Sequence, residues 1–159
     1  MNIFIAGPRI ISRLNQAVQD RLHGIYEKGY TVLVGDANGV DKAIQKYFAA
    51  LEYANVVVYA SNGKVRNNLG NWRVEAVEVP DGIKRGFDFY AVKDRAMAAD
   101  ADYGFMLWNG ESRGTHTNIV NLLNGGKKIL VYFTPISEFV QISSFEKLEE
   151  LCKGDVKND

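Results

Sequence analysis

Residues 109–115, Asn-Gly-Glu-Ser-Arg-Gly-Thr, combine hydrogen-bonding side chains with glycines that let a backbone come close to a ligand. They follow an apolar run over 103–108 and lead into a stretch with Ile119, Val120, Leu122 and Leu123 at helical spacing. Strand, glycine-bearing turn and helix start, in that order, suit an anion. The first helical turn leaves N–H groups unpaired and carries the positive end of the helix dipole. Gly110, Ser112, Arg113, Gly114 and Thr115 are therefore the expected phosphate contacts, with Arg113 as a forked donor. Trp108, Trp72 and Tyr90 are candidates to stack on a base. The same residues could instead shape an ordinary turn whose Thr115 caps a helix. Two further loops repeat the chemistry: Gly7, Pro8 and Arg9 after a first apolar run, and Gly35, Asp36, Gly39 and Asp41 after a second.

These loops are positioned by strands that alternate with helices. Residues 2–6, 30–34, 55–60, 103–108 and 128–133 read as strands, apolar throughout rather than alternating, as in a parallel sheet covered on both faces. Helical spacing follows Ser12, through Leu14, Val18, Leu22 and Ile25, and recurs through Ile44 and Phe48, over 87–99, over 115–124 and over 137–151. Between 61 and 86 the periodicity disappears, which marks a functional or mobile loop, although 72–79 alternates and could add a strand. The expected fold is α/β, a Rossmann-like three-layer sandwich with a mostly parallel sheet of about five strands. In such sheets ligands bind at the carboxyl ends of the strands, where the three loops converge. Residues 1–152 form the expected domain and 153–159 a polar tail.

The chain has 159 residues, 47% of them hydrophobic, and its 19 Lys+Arg balance 19 Asp+Glu. That balance argues against nucleic acid or an acidic membrane as partner, since such binders carry a basic excess. The lone Cys152 has no disulfide partner and fits a reducing compartment; it sits in a charged segment and is given no catalytic role. No apolar run has the length of a membrane span and no signal-peptide pattern opens the chain, so the expectation is a cytoplasmic protein. His23 and His116 stand apart from any cluster with metal-ligand spacing, so no metal or other cofactor is implied.

The runs AGP at 6–8, VGDANGVDKA at 34–43 and ADYGFMLWNGESRGTHTNI at 101–119 resemble the SLOG superfamily, over roughly residues 1–133. That group joins the DNA-processing DprA/Smf proteins and the "Lonely Guy" phosphoribohydrolases; a more distant similarity is to nucleoside 2-deoxyribosyltransferases. The resemblance implies a nucleotide ligand, with the phosphate turn at Gly110, Ser112, Gly114 and Thr115 and the second loop at Gly35, Asp36, Gly39 and Asp41. It also implies a homo-oligomer. In "Lonely Guy" enzymes a catalytic Glu follows the Gly-Thr pair by three residues; here that position is Asn118, and an amide neither takes the proton nor stabilises an oxocarbenium-like centre.

Two readings follow. In the first, the crevice holds a nucleotide or nucleotide-derived signal without transforming it. Because some SLOG relatives sense cyclic or ADP-ribose-type signals, a bacterial sensor or a phage-encoded sequestering module fits, in nucleotide signalling or defence. In the second, the protein is a nucleotide N-glycosidase or deoxyribosyltransferase whose catalytic carboxylate is Asp94 or Glu111. A DNA-processing role is a third, against which the neutral charge weighs.

Overall fold

Strands apolar on both faces need helices on both faces, and the computed structural model, which describes residues 1–154, supplies them. The strands are β1 (Asn2–Ala6), β2 (Thr31–Gly35), β3 (Val56–Ser61), β4 (Arg73–Val77), β5 (Tyr103–Trp108), β6 (Lys128–Phe133) and β7 (Glu138–Ile142). The helices are α1 (Gln16–Lys28), α2 (Val40–Ala50), α3 (Phe87–Asp100), α4 (Arg113–Asn124) and α5 (Phe145–Cys152). All strands join one sheet in the order β4-β3-β2-β1-β5-β6-β7. Every pairing is parallel except β6 with β7.

Alternate residues of the central strands enter different cores. Ile3, Ile5, Val32 and Val34 pack with Val18 and Leu22 of α1 and Ile44 and Phe48 of α2. Phe4, Leu33, Val57 and Met106 pack on the other side with Met97 of α3, Ile119 and Leu122 of α4 and Leu148 of α5. The result is the expected three-layer Rossmann-like sandwich, with seven strands rather than about five. Because β1 lies between β2 and β5, the chain reverses its direction of travel across the sheet there, and the loops after these strands splay apart to leave a crevice.

The two extra strands have identifiable causes. The alternation at 72–79 does form edge strand β4, paired to β3 with Val58 opposite Val74. The helix expected over 137–151 is instead a strand and a shorter helix. Val140 and Ile142 are buried on β7 with Gln141 exposed between them, a two-residue period. Ser144 then caps α5, accepting from the Lys147 N–H. Asn15, rather than Ser12, caps α1, its side chain accepting from the Val18 N–H. Of the polar tail expected at 153–159, residues 155–159 lie outside the described residues. Among the described residues no helix is long and apolar enough to cross a membrane.

The irregular stretch after β3 is pinned by buried polar side chains. Gln45, fully buried on α2, donates to the carbonyls of Gly35 and Asn67 and accepts from the Leu69 N–H. Asn67 donates to the Asp36 carbonyl, Asn68 bridges both backbone groups of Trp72, and Trp72 Nε1 donates to the Tyr53 carbonyl. Trp72 therefore braces the loop instead of facing a ligand.

Candidate functional site

Two glycines let the loops approach closely enough to form a site. A Cβ on Gly35, the last residue of β2, would lie 2.5 Å from Asp41 Oδ2 and 2.9 Å from Lys93 Nζ, so the absent side chain makes room for both groups. Gly39 has φ +80° and caps α2; a Cβ there would meet the Arg9 backbone at 2.3 Å. Sequence reasoning gave these glycines to the ligand, but their immediate physical work is to bring Arg9, Asp41 and Lys93 to one place.

The crevice above them has a volume of about 590 Å³. One wall is the start of α4 with Ser112, Gly114 and Thr115. The opposite wall is a stripe of α3, Phe87, Tyr90, Asp94 and Met97, whose spacing keeps all of them on one helix face. Gly7, Pro8 and Arg9 form a rim, and Asp41 and Lys93 lie at the bottom. Three helices begin here: α2, α3 and α4. Those of α2 and α3 start without a side-chain cap, so their first-turn N–H groups and positive dipole ends add to the local cationic field. On α4, Ser112 Oγ accepts from the Thr115 N–H at 3.3 Å and lies 3.1 Å from Thr115 Oγ1.

The charged groups form a network. Asp36, 1% exposed, accepts from the Arg66 backbone N–H at 2.9 Å and from Arg66 Nη2 at 2.7 Å, and lies 3.5 Å from Lys93 Nζ. Burial acts to raise this carboxyl, but the two Arg66 hydrogen bonds and the Lys93 charge prevail and hold it below the usual carboxylate range. Asp41 has a different balance. Burial pushes it up to about 6; Lys93 and the Ala37 N–H oppose, while the neighbouring Asp94 and Asp36 charges add to the rise. Asp94, 3.8 Å from Lys93 Nζ, is also raised by burial against the pull of Lys93, Arg66 and Arg9. Two of the three carboxyls thus hold a proton more readily than a free one, and both line the crevice.

The cations are presented on aromatic rings. The Arg66 guanidinium lies 4.3 Å and that of Arg9 5.4 Å from the centre of the Tyr90 ring. Arg9 is exposed and, among the described residues, has no salt-bridge partner. Asn118 lines the crevice at 5% exposed, and its Oδ1 has no hydrogen-bond partner among the described residues. A buried acceptor of this kind is costly unless something supplies a donor.

Of the residues expected from sequence, Gly7, Pro8, Arg9, Gly35, Asp41, Asp94, Glu111, Ser112, Gly114 and Thr115 line the crevice. Asp36 lies behind its wall, bound to Arg66. Gly39 lies beneath Arg9. Gly110, with φ +80°, faces Phe133. Arg113 does not line the crevice itself; its guanidinium lies 3.8 Å from the centre of the ring of Phe87, which does. Trp108 is 2% exposed and packs against His116 and Phe133, its Nε1 donating to the Ser112 carbonyl, so it supports the loop from within. Sequence reasoning missed Arg66, Lys93 and Phe87 as site residues. The usable signal was the α3 stripe: an Asp among Phe, Tyr and Met at helical spacing marks a carboxylate on an inward face.

No family model matches the sequence, and no curated protein is significantly similar to it. Among solved structures, the fold is similar to that of DNA processing protein A from Helicobacter pylori, a structure described for its single-stranded DNA binding mode. The TM-score is 0.66 at 16% sequence identity, covering 99% of this chain and 74% of the other. That protein belongs to one of the groups the sequence resembles, and what is shared is the fold. The likeness overturns the expectation, drawn from charge balance, that nucleic acid is an unlikely partner. Net charge averages the whole surface, whereas here Lys64, Arg66 and Arg85 gather around one small cleft at the strand ends and Arg9 stands on the crevice rim beside it.

Proposed function

We propose that the crevice is a nucleotide-binding site that holds its ligand intact, as the receiving part of a sensor or sequestering module. The single observation carrying this reading is that one crevice is lined both by the anion-binding groups at the α4 start and by carboxyl and amide acceptors from α2, α3 and α4. Ser112, Gly114 and Thr115 at the α4 start, with Arg9 on the rim, suit a phosphate; Asp41, Asp94 and Asn118 suit the hydroxyls of a sugar. Tyr90 and Phe87 line the same crevice and carry Arg66, Arg9 and Arg113 on their rings. The volume is in the range of small-molecule sites. Asn118, where a related enzyme group carries its catalytic Glu, favours retention over cleavage.

A second reading rests on Asp94. A crevice-lining carboxyl raised by burial could act as general acid in cleavage of an N-glycosidic bond. One experiment separates the two. Purified protein is incubated with nucleoside 5′-monophosphates, ADP-ribose and cyclic ADP-ribose species, freed of unbound material, denatured and analysed by mass. Intact nucleotide in the denatured fraction is the expected result. Free base with ribose phosphate would replace the binder by a hydrolase, and recovery of neither would remove the nucleotide assignment.

A further inference from the structure

Beside the crevice, on the far side of Tyr90 and Arg66, lies a second, much smaller cleft of about 20 Å³. Tyr90 and Arg66 line both spaces and so form their common wall. The cleft also holds Ser61, Lys64 and Arg85. Ser61 is the last residue of β3, 5% exposed, and its Oγ has no hydrogen-bond partner among the described residues. Lys64 and Arg85 have no acidic partner within salt-bridge distance among the described residues, and Arg85 is propped on the Phe89 ring at 5.4 Å. Among the described residues, the only carboxylate at the cleft, Asp36, is already engaged by Arg66 and Lys93.

From this juxtaposition of an unpartnered buried hydroxyl and unpaired cations we infer that the cleft is a second phosphate subsite. It takes a phosphate group of the ligand whose first phosphate sits at the α4 start. The space admits about one water-sized group. One phosphate oxygen enters to meet Ser61 Oγ, and the remaining oxygens stay at the rim against Lys64 and Arg85. Cations without acidic partners have no ion pair to break, and charge-assisted bonds to phosphate are the strong class of hydrogen bond. The first phosphate and the second lie on opposite sides of the Tyr90 wall. The ligand class is therefore a nucleoside phosphorylated at both ends of its sugar, not one carrying two adjacent phosphates. Such a unit occurs as a free nucleoside 3′,5′-bisphosphate and as an internal nucleotide of a phosphodiester-linked strand.

The inference rests on the nucleotide reading of the crevice, and the test separates the two. Binding of adenosine 5′-monophosphate, adenosine 3′,5′-bisphosphate and a 5′-phosphorylated tetra-adenylate is measured by calorimetry. The proteins are the wild type, Ser61→Ala and the Lys64→Ala/Arg85→Ala double variant. The bisphosphate or the tetranucleotide is expected to bind the wild type at least tenfold more tightly than the monophosphate. Both variants are expected to lose most of that gain and to keep monophosphate affinity. A gain confined to the bisphosphate identifies a small ligand, and a larger gain for the tetranucleotide a strand. Ser61→Ala removes a hydroxyl without a partner, so its melting temperature is expected to hold while binding falls, which a structural role would not produce. Equal affinity of wild type for all three ligands, or a gain that survives in both variants, overturns the subsite. Failure of the monophosphate to bind any of the proteins overturns the crevice reading itself.

Discussion

Arg66 donates to both carboxylate oxygens of Asp36, from its backbone N–H to one and from Nη2 to the other. One residue of an otherwise irregular loop thereby clamps the end of β2, and the same guanidinium lies over Tyr90. The loop is part of the site because of this pair. Arg66→Ala leaves a buried carboxylate with Lys93 as its only charge partner, and should cost about 2 kcal/mol or more in urea unfolding. Asp36→Asn should cost a similar amount and expose the amides of 62–72 to faster hydrogen exchange. Both variants unfolding at the wild-type midpoint would mean that the clamp is ornamental. The pH sign follows: Asp36 is held below its unfolded value, so its contribution is present at neutral pH and lost as pH falls below about 4.

Asp41 has the opposite sign. Its carboxyl titrates near 3.8 in an unfolded chain and at about 6 in the fold, so the native state binds the proton more tightly. Its contribution is full below pH about 4 and is lost as pH rises through about 6, a cost on the order of 3 kcal/mol at neutral pH. Asp41→Asn keeps an oxygen for the Ala37 N–H and removes the charge. Denaturation across pH 4 to 8 should show this variant more stable than wild type at pH about 7.5 and less sensitive to pH between about 4 and 6. A variant less stable at every pH would show that the Asp41 charge is needed to hold Lys93.

How much of this was legible in the sequence differs by element. The parallel core strands could be read because burial on both faces leaves uninterrupted apolar runs such as Val56–Val57–Val58. The β7–α5 segment was misread because its short alternation around Val140 and Ile142 merges into the helical spacing of Leu148 and Leu151. Glycine loops pointed to the sheet edge where the crevice lies, yet could not say which of their residues line it. Arg113 and Trp108 flank the turn as closely as Ser112 does, and only packing against Phe87 and Phe133 decides that they do not line the crevice. Arg66 reaches the site through tertiary contacts that no local pattern encodes.

Arg9 and Arg113, both expected at the ligand from the sequence, differ in their relation to the crevice. Arg9 lines the crevice, whereas Arg113 does not and instead packs on the ring of Phe87 in its wall. Arg9→Ala is expected to weaken binding of a nucleoside 5′-monophosphate tenfold or more, about 1.4 kcal/mol, and Arg113→Ala by less than threefold. The reverse order would place the phosphate at Arg113 rather than at Arg9.

Gly114 separates stability from binding. It is helical, lines the crevice, and a Cβ there would meet nothing within 4 Å. Gly114→Ala should leave the unfolding free energy unchanged or raise it, by up to about 1 kcal/mol of helix propensity. It should also weaken nucleotide binding by crowding the approach to the first-turn N–H groups. Wild-type affinity in a folded Gly114→Ala protein would show that no ligand comes close to that backbone.

The most direct measurement is a titration of the ¹⁵N-labelled protein with adenosine 5′-monophosphate, followed through its backbone amide resonances. A phosphate at the α4 start predicts saturable shifts centred on Gly114 and Thr115, with smaller ones at Arg9, Ile10 and Ala37 around the same crevice. Saturable shifts confined to another face, or none up to millimolar nucleotide, would contradict the account.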